Sequence, residues 1–387
     1  MKNGGLVPAP GRPSSQTGTI GRPLPTVFNS FESGNRNVCE AAPDLSGRLE
    51  KQNRPHRPMN SLPADKPADR PSLPATTGPR LQPWLPLPWP PEFFVPGCFC
   101  CGSIPQLRHT VFCGNTTGAV PLADTDQYEI DSWKSMTNCP SPTRSNAAAA
   151  SFGGAAYLLA GFSSTSPFVL QDTDEYTSDT WSSKADCPAP GRYDHAASAI
   201  NEKAYIYSGR DASGNLLQDV DEFDGLNWAS RSSLPAPGRI NASSASISSK
   251  SYVFCGLGAS NLRDTDEYDA AADSWMSKTD APTPARSGCV SFQVSNRAYV
   301  VTGSAAGPIR DTDEYVSDTW TSRTDCPTPA RQWGAASSPQ SAAGYITAGQ
   351  TSVIGRILDH DEYVLDTWTI RTSCPSPVRH FCAGSPA

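Results

Sequence analysis

An all-β ring of six four-stranded sheets, a β-propeller, is the fold this sequence predicts, and three observations carry it. The first is repetition at a fixed period. Asp-x-Asp begins at Asp124, Asp172, Asp219, Asp264, Asp311 and Asp359, at spacings of 48, 47, 45, 47 and 48 residues. The second is that each copy has its own tryptophan (Trp133, Trp181, Trp228, Trp275, Trp320, Trp368) and, beyond a Pro-x-Pro turn, its own arginine. The third is a β-branched and aromatic run that ends in glycine: "AYLLAG", "AYIYSG", "SYVFCG", "AYVVTG" and "GYITAG". A period near 47 residues with strand-like texture throughout is the signature of a propeller blade.

Each element of a unit has a physical reason. After the arginine comes a run of small residues, such as Ala147 to Ala150 or Ala196 to Ser198. It suits the innermost strand, where blades converge and only Ala, Ser, Gly or Cys fit. A short turn ("GGA", "NEK", "SSK", "SNR") leads into the aromatic strand that ends at glycine. A loop of variable length follows, then the acidic strand "DTDEY", then a strand carrying "TW". That outermost tryptophan is placed to pack on the neighbouring blade, where burial of one ring stabilises the contact by ~2 to 3 kcal/mol.

These residues resemble the kelch repeat. Its glycine-ended aromatic strand, acidic strand with tyrosine, tryptophan and Pro-Arg turn correspond here to Gly209, Asp219 to Phe223, Trp228 and "LPAPGR", and to matching positions in the other units. The resemblance covers residues 97–387 and implies a propeller that binds partners. One departure is systematic. Only the second glycine of the family's diglycine is kept, with Ala160, Ser208, Cys255, Thr302 and Ala348 in the first place. The Gly-His and Trp-Asp pairs of the tryptophan-aspartate repeat propeller are missing.

Six blades are expected rather than seven. The chain ends on "RHFCAGSPA", one inner strand, and the first unit has the three other strands of a blade. A C-terminal strand that completes the first blade would latch the ring and remove both sheet edges. "GCFCCGS" at Gly97–Ser103 resembles "RHFCAGS" at Arg379–Ser385 and competes for the same slot. Residues 1–96 are dense in Pro, Ser, Asn, Arg and Gly without a sustained period, so they read as a disordered proline-rich arm. Its end, "LQPWLPLPWPPEFFVP", suits either a sticky linker or a polyproline ligand for an aromatic groove.

Composition narrows the function. The net charge of -7 argues against a general nucleic-acid binder. No apolar run reaches the ~18 to 20 residues of a membrane span, and no secretory signal is evident, so a cytoplasmic, monomeric propeller with reduced thiols is the default expectation. "DTDEY" supplies too few converging oxygens for calcium, and six equivalent acid pairs do not make the one unequal pair that catalysis needs. Cys139, Cys187, Cys326 and Cys374 share one slot that Leu234 and Ala281 also fill, so the slot reads as a buried apolar plug. No metal set, cofactor motif or catalytic elbow is found, and no enzyme is expected.

The candidate binding residues are Arg144, Arg192, Arg239, Arg286, Arg331 and Arg379. Each opens an innermost strand, so the ring of six could grip an acidic peptide near one channel mouth, as the resemblance to kelch adaptors implies. The same arginine could instead hold its turn by bonding carbonyls or the acidic strand, and its identity in every unit favours that role. Variability lies instead in the loops after the glycine, the natural readers of a specific ligand. A non-catalytic scaffold for a protein or peptide is therefore the expected function. The alternatives are a carbohydrate-binding or carbohydrate-active surface propeller, or a purely structural display module.

Overall fold

The computed structural model describes residues 108–116, 120–339, 342–352 and 355–386. All lie in the second of two compact units, Phe93–Ala387. The proline-rich arm, the boundary at residue 97 and the "GCFCCGS" segment lie outside the described residues.

The fold is a six-bladed β-propeller. Blade 1 contains β1 (His109–Phe112), β2 (Thr125–Glu129) and β3 (Ser132–Ser135). Blade 2 contains β4 (Ala148–Phe152), β5 (Ala155–Phe162), β6 (Val169–Thr177) and β7 (Thr180–Ser183). Blade 3 contains β8 (Ala196–Ile200), β9 (Lys203–Tyr207), β10 (Val220–Phe223) and β11 (Trp228–Arg231). Blade 4 contains β12 (Ser243–Ile247), β13 (Lys250–Phe254), β14 (Thr265–Asp269) and β15 (Ser274–Ser277). Blade 5 contains β16 (Val290–Val294), β17 (Arg297–Val301), β18 (Thr312–Val316) and β19 (Thr319–Arg323). Blade 6 contains β20 (Ala335–Ser337), β21 (Gly344–Thr351), β22 (Gly355–Val364) and β23 (Thr367–Arg371). The last strand, β24 (Ala383–Pro386), pairs antiparallel with β1, His109 opposite Pro386 and Phe112 opposite Ala383, and completes blade 1. The C-terminal segment therefore closes the ring.

Each inner strand touches the next, from β4 through β8, β12, β16, β20 and β24 back to β4. Small side chains make this convergence feasible. Ala149, Ala197, Ser244, Ser291, Ala336 and Gly384, one per blade, line both cavities of the central channel. The apolar cores lie between blades rather than within them. One gathers Tyr157 and Leu159 of blade 2 with Ile206 and Phe223 of blade 3, and Trp228 packs at its edge. Another gathers Phe254 of blade 4 with Val300 and Tyr315 of blade 5, edged by Trp320.

The tryptophan also carries a directed bond. The Trp181 indole N–H donates to the Thr137 carbonyl of the preceding blade at 2.9 Å, and Trp133 reaches back to Thr372 at 2.7 Å to close the circle. The same Thr137 donates its backbone N–H to Asp179, in the turn between β6 and β7, at 2.6 Å. Asp131, Asp273, Asp318 and Asp366 make that second bond in four more blades. Each of these aspartates also accepts from the tyrosine at the end of its own acidic strand. Five blades thus clasp their predecessor by one indole and one carboxylate, and blade 3 by its indole alone.

The residues in the first place of the shortened diglycine are in the left-handed region: Ala160, Ser208, Cys255, Thr302 and Ala348 have φ between 50° and 61°. Glycine would adopt this conformation at less cost. Ser208 offsets part of it by donating to the carbonyls of Leu217 and Arg239 at 2.8 and 2.6 Å. Blades 2 and 6 answer with a shift of register between Leu159 and Gly161 and between Thr347 and Gly349.

Candidate functional site

The six arginines are the largest fully buried side chains of the propeller. Each ties the start of its inner strand to the second aspartate of the acidic strand in the same blade. Arg144 meets Asp174 at 2.7 Å, Arg192 meets Asp221 at 2.6 Å, Arg239 meets Asp266 at 2.8 Å and Arg379 meets Asp126 at 2.6 Å. Arg286 pairs with Asp313, and Arg331 with Asp361. In five blades a serine of the outermost strand donates to the same aspartate; Ile370 stands opposite Asp361 in the sixth. Burial pushes the carboxyls of Asp174, Asp221, Asp266 and Asp361 above the usual range against the pull of their arginines. These guanidinium groups bolt strand to strand, and each is 0% or 1% exposed.

The third acid of each "DTDEY" is also committed. Glu222 accepts from Tyr205, Lys203 and Arg231. Burial pushes its pKa up, but these three donors outweigh it and hold the carboxyl at about 2. Glu267 and Glu314 sit in matching cages, Glu267 with Lys250, Tyr252 and Lys278, and Glu314 with Arg297, Tyr299 and Arg323. Among the described residues no group of three or more His, Cys, Asp or Glu is disposed to hold a metal. No helix among them is long and apolar enough to cross a membrane.

What the surface offers is a ring two residues beyond the arginines. Asn146, Asp194, Asn241, Gly288, Trp333 and Phe381 all have φ between 52° and 62°. Their backbones are linked in a closed circle. The N–H of Asp194 donates to Asn146 at 3.0 Å, Asn241 to Asp194 at 2.9 Å, Gly288 to Asn241, Trp333 to Gly288 and Phe381 to Trp333 each at 2.8 Å, and Asn146 to Phe381 at 3.1 Å. The circle frames a mouth of the channel, a cavity of about 150 Å³. Asn, Asp and Gly take this conformation readily, whereas Trp and Phe do so only where the surroundings compel it.

One arc of the mouth is polar and the opposite arc aromatic. Asn146 donates to Asp194, whose carboxylate also pairs with Arg210 at 2.7 Å, and Arg210 lies 4.5 Å over the Tyr193 ring. Burial raises the Asp194 pKa despite Arg210. Across the mouth Trp333 stacks on Phe381 at 4.7 Å, and His380 packs on Phe381 at 4.3 Å. Gly288 makes room for the indole, because a Cβ there would stand 2.4 Å from Trp333 Nε1. Beside this arc Arg356 donates from Nε to His380 Nδ1 at 2.8 Å, and burial alone acts on its pKa, lowering it. His380 is held at about 4, chiefly by burial. Arg356 therefore carries a cation that no carboxylate among the described residues neutralises.

The variable loops open on this same face. Short bridges join the residue after each glycine to the residue after each arginine: Phe162 with Ser145, Arg210 with Tyr193, Leu257 with Ile240, Ser304 with Ser287 and Gln350 with Gln332. The mouth positions were not singled out from sequence. The signal was present, since the second residue after the repeat arginine runs through Asn, Asp, Asn, Gly, Trp and Phe.

No protein-family description matches this chain, and no curated protein matches it. Among solved structures, that of YjhT is similar, with a TM-score of 0.57 over 70% of this chain and 98% of that one, at 14% identity. At that identity the likeness establishes the propeller fold and nothing finer.

Proposed function

We propose that the chain is a kelch-type propeller that works as a non-catalytic scaffold, binding a segment of a protein or peptide partner across the channel mouth on its loop face. One observation carries this reading: six equivalent positions on one hydrogen-bonded backbone ring present Asn146, Asp194, Asn241, Gly288, Trp333 and Phe381. The frame is uniform and the side chains differ, as specific recognition requires. Arg356 suits an acidic side chain of the partner, and the Trp333–Phe381 stack suits an apolar or aromatic one. The commitment of Asp194 to Arg210 and of His380 to Arg356 supports binding rather than catalysis, because neither is poised beside a nucleophile.

Selection of peptides from a random library with the intact chain tests the proposal. Enrichment of Asp or Glu next to an aromatic residue is expected, with affinity falling about tenfold or more in Arg356→Ala and in Trp333→Ala, or about 1.4 kcal/mol each. Leu365→Ser, at an exposed turn on the opposite face, should change nothing. Binding that survives both mouth variants would defeat the assignment. The aromatic stack facing Asn146, Asp194 and Asn241 also suits a saccharide, so a glycan array that retains the chain while the peptide library yields nothing would favour the carbohydrate reading.

A further inference from the structure

The repeat places two side chains face to face near the mouth end of every blade. One stands just before the glycine that ends the aromatic run and the other just before the Pro-x-Pro turn. Their backbones are anchored on consecutive carbonyls: in blade 1 Cys113 donates to Asp124 and Cys139 to Ala123, each at 2.8 Å. The same frame holds Ser208 and Leu234 on Asp219 and Gln218, Cys255 and Ala281 on Asp264 and Arg263, and Thr302 and Cys326 on Asp311 and Arg310. In blades 2 and 6 the two places hold Ala160 with Cys187 and Ala348 with Cys374. Only blade 1 fills both with cysteine. There the two sulfurs lie 2.9 Å apart, with Cys113 1% and Cys139 5% exposed. They need approach by less than ~1 Å to reach covalent length.

We propose that Cys113 and Cys139 form a disulfide that staples the blade in which the ring closes. Blade 1 is the one whose inner strand, β24, arrives from the far end of the chain, so β1 is flanked on one side by a strand with no local connection to it. The bridge ties the end of β1 to the segment beyond β3 and keeps the docking edge for β24 in register. The oxidant is a small disulfide such as oxidised glutathione. Cys139, whose thiol is favoured as thiolate first by the Cys113 hydrogen bond and then by Arg144, attacks one sulfur and expels a glutathione thiolate. Cys113 loses its proton and attacks the Cys139 sulfur of the mixed disulfide, expelling the second glutathione thiolate. Two protein thiols thus give up two electrons and two protons, and one glutathione disulfide becomes two thiols. Both sulfurs are buried, so the exchange takes place while the chain folds or while blade 1 opens.

The test is to refold the full chain in a glutathione redox buffer, block free thiols in denaturant and map the linked peptides by mass spectrometry. A Cys113–Cys139 bridge is expected, and the oxidised protein should melt roughly 5 °C or more above the reduced one. The variant Cys113→Ala/Cys139→Leu carries residues that other blades use in these places, Ala160 and Leu234, and so keeps a route to the fold. Its melting point should not respond to dithiothreitol. Cys255 packs with Cys289 of the next blade in one apolar cluster and is the internal comparison. Recovery of Cys113 and Cys139 as blocked thiols, a bridge from either to another cysteine, or an equal response to dithiothreitol in the variant would each overturn the proposal.

Discussion

Arg192→Met removes the cation from one buried pair and leaves Asp221 behind, with the Ser230 hydroxyl at 2.8 Å as its remaining side-chain partner. Arg192 and Asp221 are 1% and 2% exposed, so the orphaned carboxylate is left largely desolvated. Breaking such a pair costs about 3 to 5 kcal/mol. Protonation sets a ceiling. Neutralising a carboxyl of ordinary pKa 3.8 costs about 4 kcal/mol at pH 7 and under about 2 kcal/mol at pH 5. The variant should therefore lose about 4 kcal/mol at pH 7, roughly half of that at pH 5, and most of the pH dependence when Asp221→Asn is added. Urea unfolding followed by tryptophan fluorescence at the two pH values measures this. A loss below about 1 kcal/mol at pH 7, or an equal loss at both, would refute the account of the arginine as a buried bolt. An Arg192→Met protein of unchanged stability that no longer holds an acidic peptide would return the six arginines to the binding site.

Three further outcomes follow from the same packing. Trp275→Phe keeps most of the ring but loses the N–H donated to Ser232 at 2.8 Å, and should cost about 1 kcal/mol in urea unfolding. Gly288→Ala places a Cβ against Trp333 at a φ of 62°, and should cost about 1 to 2 kcal/mol and shift tryptophan emission as the indole leaves the mouth. His109 is fully buried between blades 1 and 6, bonded to Ser337 and Thr347, and burial holds its pKa at about 3. Since the unfolded chain binds that proton below pH 6.5 and the folded one does not until about 3, stability falls as pH drops through this window. His109→Gln should lower the slope of stability against pH there by up to about 1.4 kcal/mol per unit, and an unchanged slope would contradict the burial argument.

The ring was readable because its determinants repeat: one tryptophan, one arginine and one acidic strand every 47 or so residues leave the blade and its count little freedom. The latch was readable from a tail one strand long. Strand alternation put Asp172 and Asp174 on one face, but not the difference between them. The Asp174 side chain is 4% exposed on Arg144 and that of Asp172 35%, because the first aspartate lies near the blade rim. The mouth was harder. Its six residues meet through contacts between residues about 47 apart and, at the closure, between Asn146 and Phe381 from opposite ends of the propeller sequence, and a positive φ at Trp333 or Phe381 is opposed by local preference. The cysteines escaped for another reason. Comparing the same position across blades hides a meeting of two different positions within one blade, which is how Cys113 finds Cys139.

In blade 3 the tyrosine and the aspartate of the clasp between blades are absent together, as expected if the two act as one unit. It is the blade whose acidic strand ends in Phe223 instead of tyrosine, and its turn also puts Leu226, 74% exposed, where Asp179 stands in blade 2. The hydroxyl and the carboxylate it would bond are lost together, and Trp228 alone reaches back, to Ala185 at 2.9 Å. Restoring one without the other should gain nothing. Phe223→Tyr adds a hydroxyl at a fully buried position without its aspartate, and Leu226→Asp adds a charge that no tyrosine orients. Together they rebuild the arrangement of Tyr176 and Asp179, which are 3.3 Å apart, and add an acceptor for the Ala185 backbone. A double-mutant cycle in urea should show a favourable coupling of about 1 kcal/mol between the two changes. Additive effects would mean that tyrosine and aspartate contribute independently, and that their joint absence from blade 3 has no bearing on how the blades hold together.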